Sequence, residues 1–129
     1  MKRKLLVLPW LLYSALIYIV SSHPLDRLPK FTVLGWDKLI HMVEFAVYSF
    51  LTGIALKALE TDKSKFNLLF TAFIITLLYG ASDEIHQLFV PGRSSSIFDF
   101  IADAIGGIIG LIFFHMFKIS DKLDHAEFK

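Results

Sequence analysis

The chain has 129 residues, with 13 Lys and Arg against 12 Asp and Glu, and is 55 % hydrophobic with a mean hydropathy of +0.60. That is too apolar for an ordinary soluble domain, and a charge near zero with no basic helix gives no case for a nucleic-acid partner. Cysteine is absent, which excludes disulfides, thiolate metal ligands and thiol nucleophiles, and the length suits one domain over residues 1–129.

Apolar residues fall into four blocks, 5–20, 39–59, 66–90 and 97–117. A helix needs roughly 20 residues to cross ~30 Å of hydrocarbon, so the expected fold is all-α, a polytopic membrane protein built as a four-transmembrane-helix bundle. The first block is short. It follows the basic start Met1-Lys2-Arg3-Lys4 and ends at Val20-Ser21-Ser22, a layout that also matches a signal peptide. We read it as a retained helix whose serines and His23 extend into the interface.

The second segment opens at Asp37. Asp37, His41, Glu44, Tyr48, Thr52 and Ala55 step by three or four residues and so share one helix face. The third carries Thr76, Gly80, Asp83, Glu84 and Gln87 as a polar arc near its end. Pro91-Gly92 then supplies turn chemistry, and Ser96 is placed to N-cap the fourth segment, with Asp99 three positions on in a capping-box-like pattern. On that segment Asp99, Asp103, Gly106 and Gly110 form a stripe, and the glycines at this spacing are a helix-packing signal. A short mixed-charge tail follows from Ser120.

Orientation follows from the cations. Lys2, Arg3, Lys4, Lys57, Lys63, Lys65, Lys118, Lys122 and Lys129 fall on one side, and Arg27, Lys30, Lys38 and Arg93 on the other. The positive-inside rule then predicts a cytoplasmic-membrane protein with both termini cytoplasmic. Trp10 and Trp36 suit interfacial positions, and most phenylalanines suit lipid or packing faces.

In this topology three segments deliver acids to one depth near the external surface. A carboxylate in hydrocarbon costs roughly 2.5–3.5 kcal/mol, so such groups persist where they face a protein interior and find partners. Asp37, Glu44, Asp83, Glu84, Asp99 and Asp103 against Lys38 and Arg93 leave a formal charge of about −4. Like charges at such density must bind protons, cations or a metal. The candidate site follows by residue type. Asp83, Glu84, His41 and Asp99 have the acid–base chemistry of catalytic groups, with His86 a second candidate base. Arg93, Lys38, Gln87, Asp37 and Glu44 are candidate substrate-binding groups, Arg93 for its bidentate fork. Asp99, Asp103 and Asp83 are candidate oxygen ligands for a divalent cation such as Mg²⁺. Zinc is not signalled, because His41 and His86 come from different segments without a His-Glu-x-x-His pattern. A Ser-His-Asp hydrolase drawn from Ser94, Ser95 or Ser96 lacks a nucleophile-elbow pattern.

These residues resemble the VanZ-like family of bacterial membrane proteins, named for a component of glycopeptide (teicoplanin) resistance. The likeness lies in Asp37-Lys38-x-x-His41-x-x-x-Phe45, in Asp83-Glu84-x-x-Gln87-x-Phe89-x-Pro91-Gly92-Arg93, and in Asp99-x-x-x-Asp103-x-x-Gly106-x-x-x-Gly110. It spans about residues 37–110. The family often has Asn at the position of Asp103. The resemblance implies a bacterial envelope protein without implying a reaction. Three readings stay open. One is an enzyme acting on a lipid-linked or phosphorylated envelope molecule. The second is a small transporter or flippase. The third is a non-catalytic accessory protein whose ion pairs hold the helices together. In the first reading a membrane lipid or lipid-linked envelope precursor is the expected partner.

Overall fold

The computed structural model describes residues 3–23, 36–59, 64–117 and 121–122. Lys2, Arg27, Lys30, Lys63, Lys118 and Lys129, which entered the orientation argument, lie outside the described residues. Among the described residues a 3-10 turn Arg3–Val7 leads into α1 (Leu8–Ser21), followed by α2 (Trp36–Leu59), α3 (Lys65–Gln87) and α4 (Ile97–Met116). The fold is all-α, as expected. Residues 3–21 and the other three helices measure 19, 24, 23 and 20 residues, long and apolar enough to cross a membrane. This is a multi-pass membrane protein.

The helix boundaries have local causes. Pro9 sits in the first turn of α1, where its missing N–H costs nothing, so the preceding residues tighten into a 3-10 turn instead of continuing the α-helix. The Ser64 side chain accepts from Asn67 N at 3.3 Å to cap α3. The apolar block that runs to Val90 is helical only to Gln87. Pro91 disfavours helical geometry in the residue before it, and Gly92 adopts φ 79°. With Arg93 N bonded to Val90 O at 3.1 Å, residues 90–93 make a turn that needs a positive φ at its third position, which glycine supplies without strain.

The four helices run alternately up and down. Cross-contacts rise together along α2 and α4, from Lys38–Asp99 to Gly53–Phe114, so these two are parallel. Tyr48 and Tyr79 stack at 4.6 Å and His41 faces Glu84, which sets α3 antiparallel to α2. α1 runs beside α3, with Ser14 on Tyr79 and Ser21 on Asp83. The tightest contact is between α2 and α4. A Cβ built on Gly106 would strike Met42 O, and one on Gly110 would strike Ala46 O and Ser49 Oγ. The glycine stripe is therefore a groove into which the α2 backbone fits.

The middle of the bundle is filled. Phe45, Tyr48, Ile17 and Phe114 are at most 2 % exposed, and Trp10 packs its ring against Tyr48 at 6.4 Å. Trp10 thus faces the bundle interior rather than the interface expected of it, whereas Trp36 is half exposed. Thr52 and Thr76 donate to Tyr48 O and Ala72 O in their own helices, and Ser49 donates to Gly107 O at 2.8 Å. These three mid-bundle hydroxyls are thereby satisfied by backbone carbonyls.

Candidate functional site

One end of the bundle, where α1 and α3 finish and α2 and α4 begin, gathers most of the polar residues read from the sequence. Asp83, Glu84, Gln87, Asp99 and Asp103 are each no more than 7 % exposed. Their periodic spacing turns them inward while Ile85, Ile101 and Ile105 on the same helices face out. The residues resolve into three groups.

The central group joins α2, α3 and α4. His41 Nδ1 lies 2.9 Å from Asp103 Oδ1 and 3.9 Å from Glu84 Oε1. Lys38 Nζ bridges Asp99 Oδ1 and Asp37 Oδ2, both at 2.8 Å. Asp37 is 60 % exposed at the mouth. Glu84 uses its other oxygen, Oε2, to accept from Ser96 N at 2.9 Å, and Oε1 is buried with no hydrogen-bond partner. The second oxygen of Asp103 is buried and unpartnered as well, and it lies against Gly80, where a Cβ would come within 3.2 Å.

A second group ties α1 to α3. Asp83 accepts from the Ser21 hydroxyl and, through Oδ2, from Gln87 Nε2 at 2.7 Å, so both carboxylate oxygens are engaged. His86 turns the same way, its Nε2 2.9 Å from Ser22 Oγ and its ring 4.8 Å from Tyr18. It does not join His41.

The third group is Arg93. Its Nε donates to His23 O at 3.1 Å and one terminal NH₂ to Val20 O at 2.7 Å. The guanidinium thus caps the carbonyl end of α1, where a cation is favoured. Glu44, one turn below His41, lies within coulombic reach of His41, Asp83, Asp103 and Arg93. It also lines a lateral cleft of about 430 Å³ between α1 and α2 with Tyr13, Val43 and Trp36.

The capping reading is partly corrected. Ser96 does cap α4, its side chain accepting from Phe98 N at 3.2 Å, but Asp99 does not close the box. The reciprocal bond to Ser96 N comes from Glu84 on α3. A capping box calls for Glu or Gln at the third position, and Asp99 is one methylene shorter, which leaves its carboxylate for Lys38.

A protein-family model described as VanZ/LLP1 matches residues 5–118. The chain belongs to the VanZ/LLP1 family. Comparison with curated proteins and with solved structures returns no match. The residues that carried the VanZ-like resemblance divide by task. Gln87 binds Asp83 and Asp83 binds α1, Glu84 reaches the centre, Pro91-Gly92 forms the turn, and Arg93 lands on α1. At the position where VanZ-like proteins often have Asn, Asp103 holds His41, a bond that an Asn carbonyl oxygen could equally accept.

Sequence reasoning missed the contribution of α1. Ser21 and Ser22 were read only as an interfacial extension, yet they hold Asp83 and His86. Two serines beside a histidine at a helix end were the available signal, but nothing in their spacing named a partner on another helix.

Proposed function

We propose that this VanZ-family protein acts at the external face of the cytoplasmic membrane on a lipid-linked or phosphorylated envelope molecule, and that it thereby alters glycopeptide susceptibility. The observation that carries this reading is the burial of five polar side chains from α3 and α4 at one end of the bundle, over a filled apolar middle. A lipid-anchored molecule presents its headgroup at that depth while its tail stays in the leaflet. The Asp103-oriented His41 serves as general acid or base. Glu84 and Asp99 flank it, and Asp83 with Gln87 sets the position of α3 against α1. Lys38 and Asp37 stand at the mouth, where they meet a headgroup first, and Glu44 faces the lateral cleft. The cation excess at the opposite end of the helices supports the external placement.

The test is expression in a teicoplanin-susceptible bacterium. Wild-type protein raises the tolerated teicoplanin concentration several-fold, whereas Glu84→Gln and His41→Ala, present in the membrane at equal amounts, do not. Wild-type tolerance in both variants overturns the reading. A second reading, a non-catalytic accessory protein, is favoured by Asp83, whose two oxygens are both satisfied by the protein itself. It predicts that the same variants fail in step with their loss of thermal stability.

A further inference from the structure

We propose that His41, Glu84 and Asp99 bind one divalent transition-metal cation, Zn²⁺ or Mn²⁺, where α2, α3 and α4 meet. This deepens the function proposed above and rests on it only for what the cation acts upon. One imidazole nitrogen of His41 and one carboxylate oxygen each of Glu84 and Asp99 lie within 4.8 Å of one another. Donors sharing one tetrahedral ion at bonds of ~2.0–2.2 Å stand about 3.3–3.6 Å apart, so side-chain movements that shorten the widest separation by about 1 Å close the set.

Two further observations point to a ligand. Glu84 is 94 % buried by its 6 % exposure, and its Oε1 has no hydrogen-bond partner. That oxygen is 3.9 Å from His41 Nδ1, too far for a hydrogen bond and within a few tenths of an ångström of the spacing of two donors on one metal. An unpaired buried carboxylate oxygen is costly, and a cation between it and the imidazole removes the cost. Asp103 completes the arrangement through its 2.9 Å contact with His41 Nδ1. If Nε2 ligates, Asp103 is the carboxylate that orients a metal-bound histidine; if Nδ1 ligates, Asp103 Oδ1 is itself a fourth donor.

The donor chemistry selects the ion. One imidazole with carboxylates suits Zn²⁺ better than Mg²⁺, which prefers an all-oxygen shell, and Mn²⁺, harder than Zn²⁺, is drawn mainly by the carboxylates. The Mg²⁺ ligand set expected from sequence therefore changes in membership. Asp83 is occupied by Ser21 and Gln87, and His41 and Glu84 take its place beside Asp99. Lys38 competes for Asp99, but it is 39 % exposed and can remain on Asp37 when a cation arrives. A bound divalent ion also turns an acid-rich pocket into one that accepts phosphate oxygens.

The full chain in detergent, stripped with chelator, is titrated with Mn²⁺ and with Zn²⁺, and the Mn²⁺ form is examined by pulsed electron paramagnetic resonance. The expected result is one equivalent bound with a single imidazole ¹⁴N coupling. His41→Ala abolishes the coupling, Glu84→Gln weakens binding at least tenfold, and Lys38→Met tightens it. His115→Ala, an exposed histidine near the far end of α4, changes nothing. No saturable binding, or a wild-type protein lacking the nitrogen coupling, overturns the proposal and requires no variant to fold. Metal binding without any teicoplanin phenotype would sink the functional reading and leave the cation site standing. A phenotype sensitive to Glu84 without metal binding would do the reverse.

Discussion

At the residue scale, the side chains at the site end differ in how completely the protein satisfies them. Asp83 has a donor on each oxygen, whereas Glu84 and Asp103 each keep one buried oxygen without a partner. Buried polar groups in native proteins are nearly always paired, so the two kinds of carboxylate make different predictions. Asp103→Asn retains the acceptor facing His41 and replaces the unpartnered oxygen with an amide. It should keep most of the function, whereas Asp103→Leu should lose it, with teicoplanin tolerance and membrane abundance as the paired measurements. Arg93→Ala removes the side-chain donor of His23 O and one of the two donors of Val20 O, which still accepts from His23 N, and should destabilise the detergent-solubilised protein by about 1 kcal/mol, read as a lower unfolding midpoint. Arg93→Lys should recover only part, because one ammonium cannot reproduce the fork that spans both carbonyls. Full recovery by lysine would show that charge alone matters there.

At the scale of elements, the site depends on how closely α2 and α4 approach. Gly106 and Gly110 face backbone oxygens of Met42 and Ala46, which cannot swing aside. Gly53 and Gly107 instead face the Phe114 ring and a Thr76 methyl at 3.0 Å, which can yield. Alanine at 106 or 110 is therefore expected to cost about 1–3 kcal/mol or more through overpacking, and alanine at 107 less. Because His41–Asp103 and Lys38–Asp99 straddle the same interface, Gly106→Ala should also weaken Mn²⁺ binding while Gly107→Ala spares it. Equal effects of the two would separate the site from the packing of this helix pair. Glu84 works at the same scale, since its bond to Ser96 N fastens the start of α4 to the end of α3.

Across the whole molecule, polar and apolar matter are segregated along the bundle axis. The site end holds the acids of the helices, the middle is filled by Phe45, Tyr48, Tyr79 and Phe114, and at the other end Arg3 donates to Lys57 O and Lys65 pairs with Asp121. The mid-bundle hydroxyls of Ser49, Thr52, Thr76 and Tyr79 are returned to backbone, so among the described residues they form no continuous polar path through the bundle. Proteoliposomes should accordingly show no proton or cation flux above that of empty vesicles, and a measurable flux would revive the transport reading. The topology is tested by fusions: alkaline phosphatase joined after Leu59 should be inactive, and joined after Arg93 it should be active. The opposite pattern would place the site in the cytoplasm.

Sequence by itself determined that four helices form, where they lie within a few residues, and which faces they bury. Each of those outcomes depends on a property carried along one segment: apolar length, the 3.6-residue period, and Pro, Gly or Ser at the ends. It also singled out most of the polar residues that gather at one end of the bundle, because acids in apolar helices stand out by their cost alone. What it could not supply was who meets whom. Asp99 reads as a cap partner for Ser96 and pairs with Lys38; Arg93 reads as a ligand for carboxylate or phosphate and donates to the end of α1; Ser21 reads as an interfacial extension of the first helix and holds Asp83. Those pairings join residues about 60 or more positions apart across helix interfaces. They follow from the rotation and depth of each helix, which the glycine groove of α4 against α2 sets and no single segment encodes.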